Sequence, residues 1–480
     1  MTAAQDAKAA GETKVLLRAV GRAILESIVG VLTLPIRVCR ARSAYDNEIH
    51  SEDTEFNRTI INSCPALKSF KPAPWAPRGH SQTIWGAFVT TQDNYVYERE
   101  MVIMVDRVKV ALDWCHPKGS APVSEDAPIV LCLHGIACSS EGKSLKLMME
   151  ACIHRNWRGV VYNRRGHAGT SLLPDEFSED DDVCKPFPMH ADIDDMEAVI
   201  AYISAKFPRA RIVCVGFSLG SNLLVRYLGH TKNQCKLLAG VSVANGFDLV
   251  AGTKRLAEEG EWDAIITMKM KRMLVHHSPD LMKAKKIEET HITQIVKSRS
   301  FREFDKIVMG QLYGYKDVDE YYRENSCLHL LQDIAVPLLC LGDHDDPLLS
   351  QDLLRASLDA GKLNRHIITA LTRNGGHLGW IEGWKGKPWM SGAVSEYIHA
   401  VLENSERPQG AAAGPPLKVV DPLPVVVSLE LTESDPPKVV LNLKASPGMA
   451  ESTERTAPCL QPDISALKDA ATLEAQINQM

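Results

Sequence analysis

From about residue 128 onward, short apolar runs alternate with amphipathic ones, and this alternation limits the folds open to the chain more than any other feature. "PIVLCLHG" (128–135) reads as a buried strand, "KSLKLMMEACIHR" as a helix, "WRGVVYNRRGH" as a strand and "DDMEAVIAYISAKF" as a helix. "RIVCVGF", "KLLAGVSVAN", "VPLLCLG" and "HIITALT" supply four further strands. Strands separated by helices cannot pair as hairpins; each crossover brings the next strand back parallel and covers a face of the sheet. The expected class is therefore α/β: a mainly parallel sheet with helices on both faces, whose ligands gather at the carboxyl ends of the strands.

The chain has 480 residues, 45% of them hydrophobic, enough for a sizeable core. A net charge of -6 gives no electrostatic footprint for nucleic acid. The 12 cysteines are scattered, with no Cys-x-x-Cys pair and no compact Cys/His cluster. That pattern fits reduced thiols in a reducing compartment, and neither a disulfide framework nor a metal site is expected.

At the end of "RIVCV" the chain reads Gly216, Phe217, Ser218, Leu219, Gly220. Gly-x-Ser-x-Gly arises by accident in about one chain in six of this length, so the motif alone decides little. Its setting decides more. A β-branched run precedes it and the apolar spacing of Asn222 to Leu228 is helical, and a strand-turn-helix is what lifts such a serine out of the backbone as a nucleophile. Gly216 and Gly220 then leave room for the tight turn.

A serine hydroxyl needs a base, and the base needs an orienting acid. "VPLLCLG" ends in Asp343, His344, Asp345 and Asp346, and the next strand runs into His377. The chain order Ser, Asp, His is that of α/β-hydrolases. Asp345 is the preferred acid, three residues beyond Gly342 and able to leave the strand end; Asp346 is the reserve, and Pro347 would fix the turn for either. Two backbone N–H groups must meet the oxyanion. Leu219 follows the nucleophile and would give one; Ile136, behind His134 and Gly135, would give the other. His134 is expected to brace that loop. No metal or cofactor is needed.

The segments "GHSQTIWG" (79–86), "LHGIACSS", "YNRRGHAGTSLLP", "GFSLGSN", "LYGYKDVDEYYRENSCLHLLQDIAVPLLCLGDHDDP" and "GGHLGWIEG" together resemble the YheT-like branch of α/β-hydrolase-domain proteins, over roughly residues 65–400. The resemblance implies an α/β-hydrolase fold, a triad on Ser218, Asp345 and His377, a membrane-attached N-terminus, and action on monoacylglycerols or phospholipids. The leading expectation is a serine hydrolase of lipid carboxylic esters. An esterase for small soluble esters, an acyltransferase and a non-catalytic scaffold stay open. The branch also carries a His-x4-Asp motif linked with acyl transfer, whose spacing His190 and Asp195 meet. Asp192, Asp194 and Asp195 lead into a helix, and capping is the preferred reading of them.

Three regions flank or interrupt the core. Residues 1–45 hold "KVLLRAVGRAILESIVGVLTLPIRV", apolar except for Arg18, Arg22 and Glu26 on one helical stripe. Its charge-free stretch from Ser27 to Ile36 is about half the roughly 20 residues a spanning helix needs. A helix lying on a membrane, with Lys14, Arg18 and Arg22 at lipid phosphates, is preferred to one that spans it, with packing on the protein itself the third option. The catalytic domain is taken as 46–404, with a helical cap insertion at about 246–325 that contains Met268, Met270 and Met273. There the basic "KMKRM" and "KAKK" are expected to form a solvated face. Residues 405–480 are rich in Pro and Gly and expected to be mobile, with "VVVSLEL" and "KVVLNL" able to pair as strands and "ISALKDAATLEAQI" able to form a helix.

Overall fold

The structure is a computed structural model that describes residues 3–33, 45–405, 425–431 and 439–445, except 93, 120–122, 179–184, 191 and 350. Nine strands form its main sheet: β1 (Glu48–Ser51), β2 (Tyr95–Ile103), β3 (Lys109–Pro117), β4 (Ile129–Leu133), β5 (Arg158–Asn163), β6 (Ile212–Phe217), β7 (Ala239–Val243), β8 (Leu338–Asp343) and β9 (Ile367–Thr372). Their spatial order is β1-β9-β8-β7-β6-β4-β5-β3-β2. All pairings from β5 through β4, β6, β7 and β8 to β9 are parallel. The antiparallel strands β3 and β2 extend one edge, and β1 closes the other against β9.

The parallel strands are apolar at every position because both faces are covered. Along β4, Val130 and Cys132 enter one core, while Ile129, Leu131 and Leu133 enter the other. β6 splits likewise, Val213, Val215 and Phe217 against Ile212 and Cys214. This is the period of two expected of a strand. On the first face lie α-helical Met148 and Met149 with Val394 and Ile398; on the second lie Met196, Ile200, Leu223 and Leu224.

Besides two short helices over Glu55–Ser63 and Pro65–Lys68, the α-helices in chain order are α1 (Ala3–Leu32), α2 (Gly79–Gly86), α3 (Lys143–His154), α4 (Ile193–Lys206), α5 (Leu219–Thr231), α6 (Leu249–Glu258), α7 (Glu261–Lys283), α8 (Glu289–Lys297), α9 (Phe301–Tyr313), α10 (Val318–Asn325), α11 (Gln351–Leu363) and α12 (Met390–Asn404). α6 to α10 make the helical insertion between β7 and β8. β4 lies between β5 and β6, so successive crossovers leave it in opposite directions. The crevice beyond its carboxyl end is the topological switch point where open α/β sheets place ligands.

Among the described residues no helix is long and apolar enough to cross a membrane. α1 instead lies against the domain: Ala19 and Ala23 are buried in one cluster with Ile84, Leu256 and Trp262. Glu26 accepts a hydrogen bond from Ser81 N–H at 2.8 Å, and Trp85 Nε1–H donates to Ser27 Oγ at 2.9 Å. Arg22 sits 3.6 Å from Glu259 and 3.4 Å from Glu261. These contacts correct the charged-stripe expectation at Arg22 and Glu26, while Lys14 and Arg18 stay exposed. Glu26 points into the protein, where burial raises its pKa, and Arg22 is held by acids of the insertion. Outward, α1 shows Leu17, Leu25, Ile28 and Leu32, each more than half exposed, beside the exposed Lys14 and Arg18.

The two tail runs do pair, antiparallel from Val425↔Ala445 to Leu431↔Val439. The helix expected over "ISALKDAATLEAQI" lies outside the described residues.

Candidate active site

Ser218 joins β6 to α5 with φ 52° and ψ -119°, a left-handed conformation costing a non-glycine residue about 1–3 kcal/mol. Its neighbours permit the turn. A Cβ on Gly216 would lie 2.5 Å from the Gly220 carbonyl oxygen, and one on Gly220 would lie 2.4 Å from that of Leu133. Ser218 N–H donates to Val243 O at 2.9 Å, which ties the strained residue to β7.

His377 Nε2 is 2.9 Å from Ser218 Oγ, and His377 Nδ1 is 2.8 Å from Asp346 Oδ2. The Asp346 side chain is 1% exposed and that of His377 10%. With Nδ1–H directed at the carboxylate, Nε2 is left as the acceptor for the serine hydroxyl.

The preferred acid, Asp345, is not at the histidine. Its N–H turns back to Asp343 Oδ1 at 2.8 Å, and its carboxylate accepts from Gly376 N–H at 3.2 Å and Asn374 Nδ2 at 3.0 Å. The chain thus reverses over residues 343–346, and it is the next side chain, Asp346, that faces His377. Leu348 N–H donates to the other Asp346 oxygen at 2.8 Å and fixes the carboxylate plane.

Two supports escaped sequence reasoning. Asp343, fully buried, accepts from Thr372 Oγ1–H and from the N–H groups of Asp345, Gly375 and Gly376, so one carboxylate holds both the acid turn and the histidine loop. Burial and the neighbouring Asp345 charge push its pKa well up. Thr83 of α2 accepts His377 N–H at 2.9 Å while donating to Gly79 O at 2.7 Å. A buried Asp at a strand end and a helix in "GHSQTIWG" were the available signals, but neither names its partner.

The loop after β4 lies across Ser218, close enough that a Cβ on Gly135 would be 3.3 Å from Ser218 Cβ. His134 braces it: one ring nitrogen meets Gly135 O at 2.8 Å and the other accepts Arg164 N–H at 3.3 Å. Burial, helped by His167 and Arg164, holds that ring neutral. Ile136 reaches the cavity at Ser218, and Leu219 opens α5, so its N–H is one the helix itself does not use.

Two cavities meet at the serine, sharing Ile136, Ser218, Ile266, Leu348 and His377. One, about 80 Å³, runs toward Leu145, Phe217, Trp262, Ile265 and Leu378. The other, about 100 Å³, runs toward Ala244, Leu249, Leu256, Phe301 and Leu349. α7 contributes Trp262, Ile265, Ile266 and Lys269 to the first, one face at helical spacing. The cap methionines are not in these walls, and Met270 is ordinary core. The His-x4-Asp pair also separates: His190 meets Asp305 at 2.7 Å, whereas Asp195 pairs with Arg165 at 2.7 Å. Asp192 holds the N-cap position of α4 without a side-chain cap bond, its carboxylate taken by Lys185 at 2.6 Å.

A hydroxyl, an imidazole and a carboxylate in series, at the mouth of two apolar arms, can form and discharge an acyl ester. The chain belongs to the alpha/beta hydrolase fold family, whose pattern it matches over residues 128–383. Among its relatives, the monoacylglycerol lipase ABHD2 of Mus musculus is 28% identical over 403 residues, covering 79% of this chain and 91% of that protein. The phospholipase ABHD3 of Mus musculus is 27% identical over 358 residues, covering 73% and 83%. A similar solved structure, the Pyrococcus furiosus esterase Pf2001, has a TM-score of 0.41 at 15% identity, covering 64% of this chain and 90% of that one.

Proposed function

We propose that this protein is a serine hydrolase of lipid carboxylic esters. The observation that carries the reading is the imidazole of His377 bridging Ser218 Oγ at 2.9 Å and Asp346 at 2.8 Å. His377 takes the hydroxyl proton as Ser218 attacks the ester carbonyl, and Asp346 stabilises the imidazolium that forms. The N–H groups of Ile136 and Leu219 hold the oxyanion. The same proton then goes to the leaving alcohol, and water, activated by His377, releases the fatty acid and restores Ser218.

Lipid as substrate is supported by the apolar arms beside Ser218 and by the names of two relatives, a monoacylglycerol lipase and a phospholipase. The protein meets the membrane through the outward apolar side chains of α1, a helix lying in the interface. The test is labelling by a fluorophosphonate, with the intact protein beside Ser218→Ala, followed by fatty acid release from 1-oleoylglycerol and phosphatidylcholine. Labelling lost in the variant, with fatty acid released only by the intact protein, is expected. Equal labelling of both refutes the serine mechanism.

A further inference from the structure

Lys269 stands where a lysine is costly. It lies on the face of α7 that lines the Ser218 cavity, and its residue is only 9% exposed. Among the described residues its ammonium has no hydrogen-bond or ion-pair partner. The cavity wall holds Lys143 and Lys269 and no carboxylate. A second cavity of about 310 Å³ adjoins it and shares Cys138, Gly142 and Lys269, so this lysine stands in the wall common to both. The one acid there, Glu141, is taken by Lys146 at 2.6 Å.

A buried ammonium without a counter-ion pays desolvation with nothing in return, unless a ligand brings the opposite charge. Burial and the nearby Arg272 lower its pKa, which an arriving anion would reverse. Around it Trp262, Ile265 and Leu145 are apolar, so Lys269 sets a positive centre in a greasy arm beside the nucleophile.

We propose that Lys269 is the counter-ion for a phosphate group carried by the substrate, and so selects phosphate-bearing acyl esters over neutral ones. This rests on the serine ester hydrolase reading above and adds the class of head group. Lys269 binds; it takes no part in proton transfer.

The experiment compares 1-oleoylglycerol 3-phosphate with 1-oleoylglycerol, the same ester without phosphate, in mixed micelles. The readout is the ratio of their kcat/KM values for the full chain, Lys269→Met and Lys269→Arg. The ratio is expected to fall about 10- to 100-fold in Lys269→Met, the range of a charge-assisted hydrogen bond, and to stay near the starting value in Lys269→Arg. Methionine keeps length and apolar packing, and a thermal unfolding scan checks that the variant is folded. An unchanged ratio overturns the proposal, whether or not absolute rates change. So does relief of inhibition by free oleate with no change in ratio, which would make the ligand a carboxylate. Fluorophosphonate labelling of Ser218 in parallel separates the two claims: no labelling and no hydrolysis by the intact protein would sink the hydrolase reading itself.

Discussion

Replacing Asp346 by Asn should disable the enzyme far more than its small chemical change suggests, and the reason lies in Leu348. Leu348 N–H donates to Asp346 Oδ1 at 2.8 Å, so an asparagine here keeps its carbonyl oxygen toward that donor. Its NH₂ group must then face His377 Nδ1, now 2.8 Å from a carboxylate oxygen. Two donors cannot share that contact, and the imidazole changes tautomer, placing its proton on Nε2. Nε2 lies 2.9 Å from Ser218 Oγ and would no longer accept the hydroxyl proton. A wrong tautomer with intact geometry costs about 10³- to 10⁴-fold in kcat, on the order of 4–5.5 kcal/mol of barrier. Asp345→Asn removes no group from the histidine. It weakens hydrogen bonds to Gly376 N–H and Asn374 Nδ2, and a loss below about 10-fold is expected. The assay is release of oleate from 1-oleoylglycerol by both variants, with far-UV circular dichroism to confirm folding. An Asp345→Asn loss equal to that of Asp346→Asn, or an Asp346→Asn loss within 10-fold, would refute the reasoning.

Two further outcomes follow from the geometry. Burial lowers His80 to about 4 and His167 to about 3, so below pH 6.5 the unfolded chain takes up protons that the folded one refuses. Stability is therefore lost as pH falls, by up to roughly 1.4 kcal/mol per pH unit for each such histidine, until the folded-state values are reached; urea unfolding at pH 7.0 and 5.5 should show it, and equal stabilities would contradict it. On α1, Leu25→Glu combined with Ile28→Glu places two charges on the outward apolar face and should cut co-sedimentation with phosphatidylcholine vesicles about 10-fold or more. Unchanged co-sedimentation would remove α1 as the membrane contact.

How much could be read beforehand follows from which interactions are local. The buried strands from β4 to β9 carry their signature in their own residues, because both faces of each must be apolar. The turn at Ser218 was legible too, since the glycines flanking it answer to clashes within a few residues. β1 to β3 were not: "YVYEREMVI" mixes exposed charges with buried Tyr95 and Glu100, and pairing with β3 is what makes it a strand. The acid could not be separated from its neighbour because Asp345 and Asp346 differ only in the direction a tight turn gives them. That direction is set by Asp343, whose bonds reach residues 375 and 376, a distance no local pattern spans. Lys269 was hidden for a similar reason. In "KMKRM" it looks like one charge among several, and only the packing of α7 shows that it shares a face with Trp262, Ile265 and Ile266.

The hydrogen bond from Ser81 to Glu26 makes α1 something other than a detachable leash. Glu26 supplies an acceptor at the N-terminus of α2, α2 carries Thr83, and Thr83 holds the backbone of His377. A chain trimmed at residue 45 would lose its outward apolar surface and, with it, a brace standing two contacts from the imidazole. The helix proposed to meet the lipid and the loop that presents the base are parts of one frame, so whatever tilts the first also loads the second.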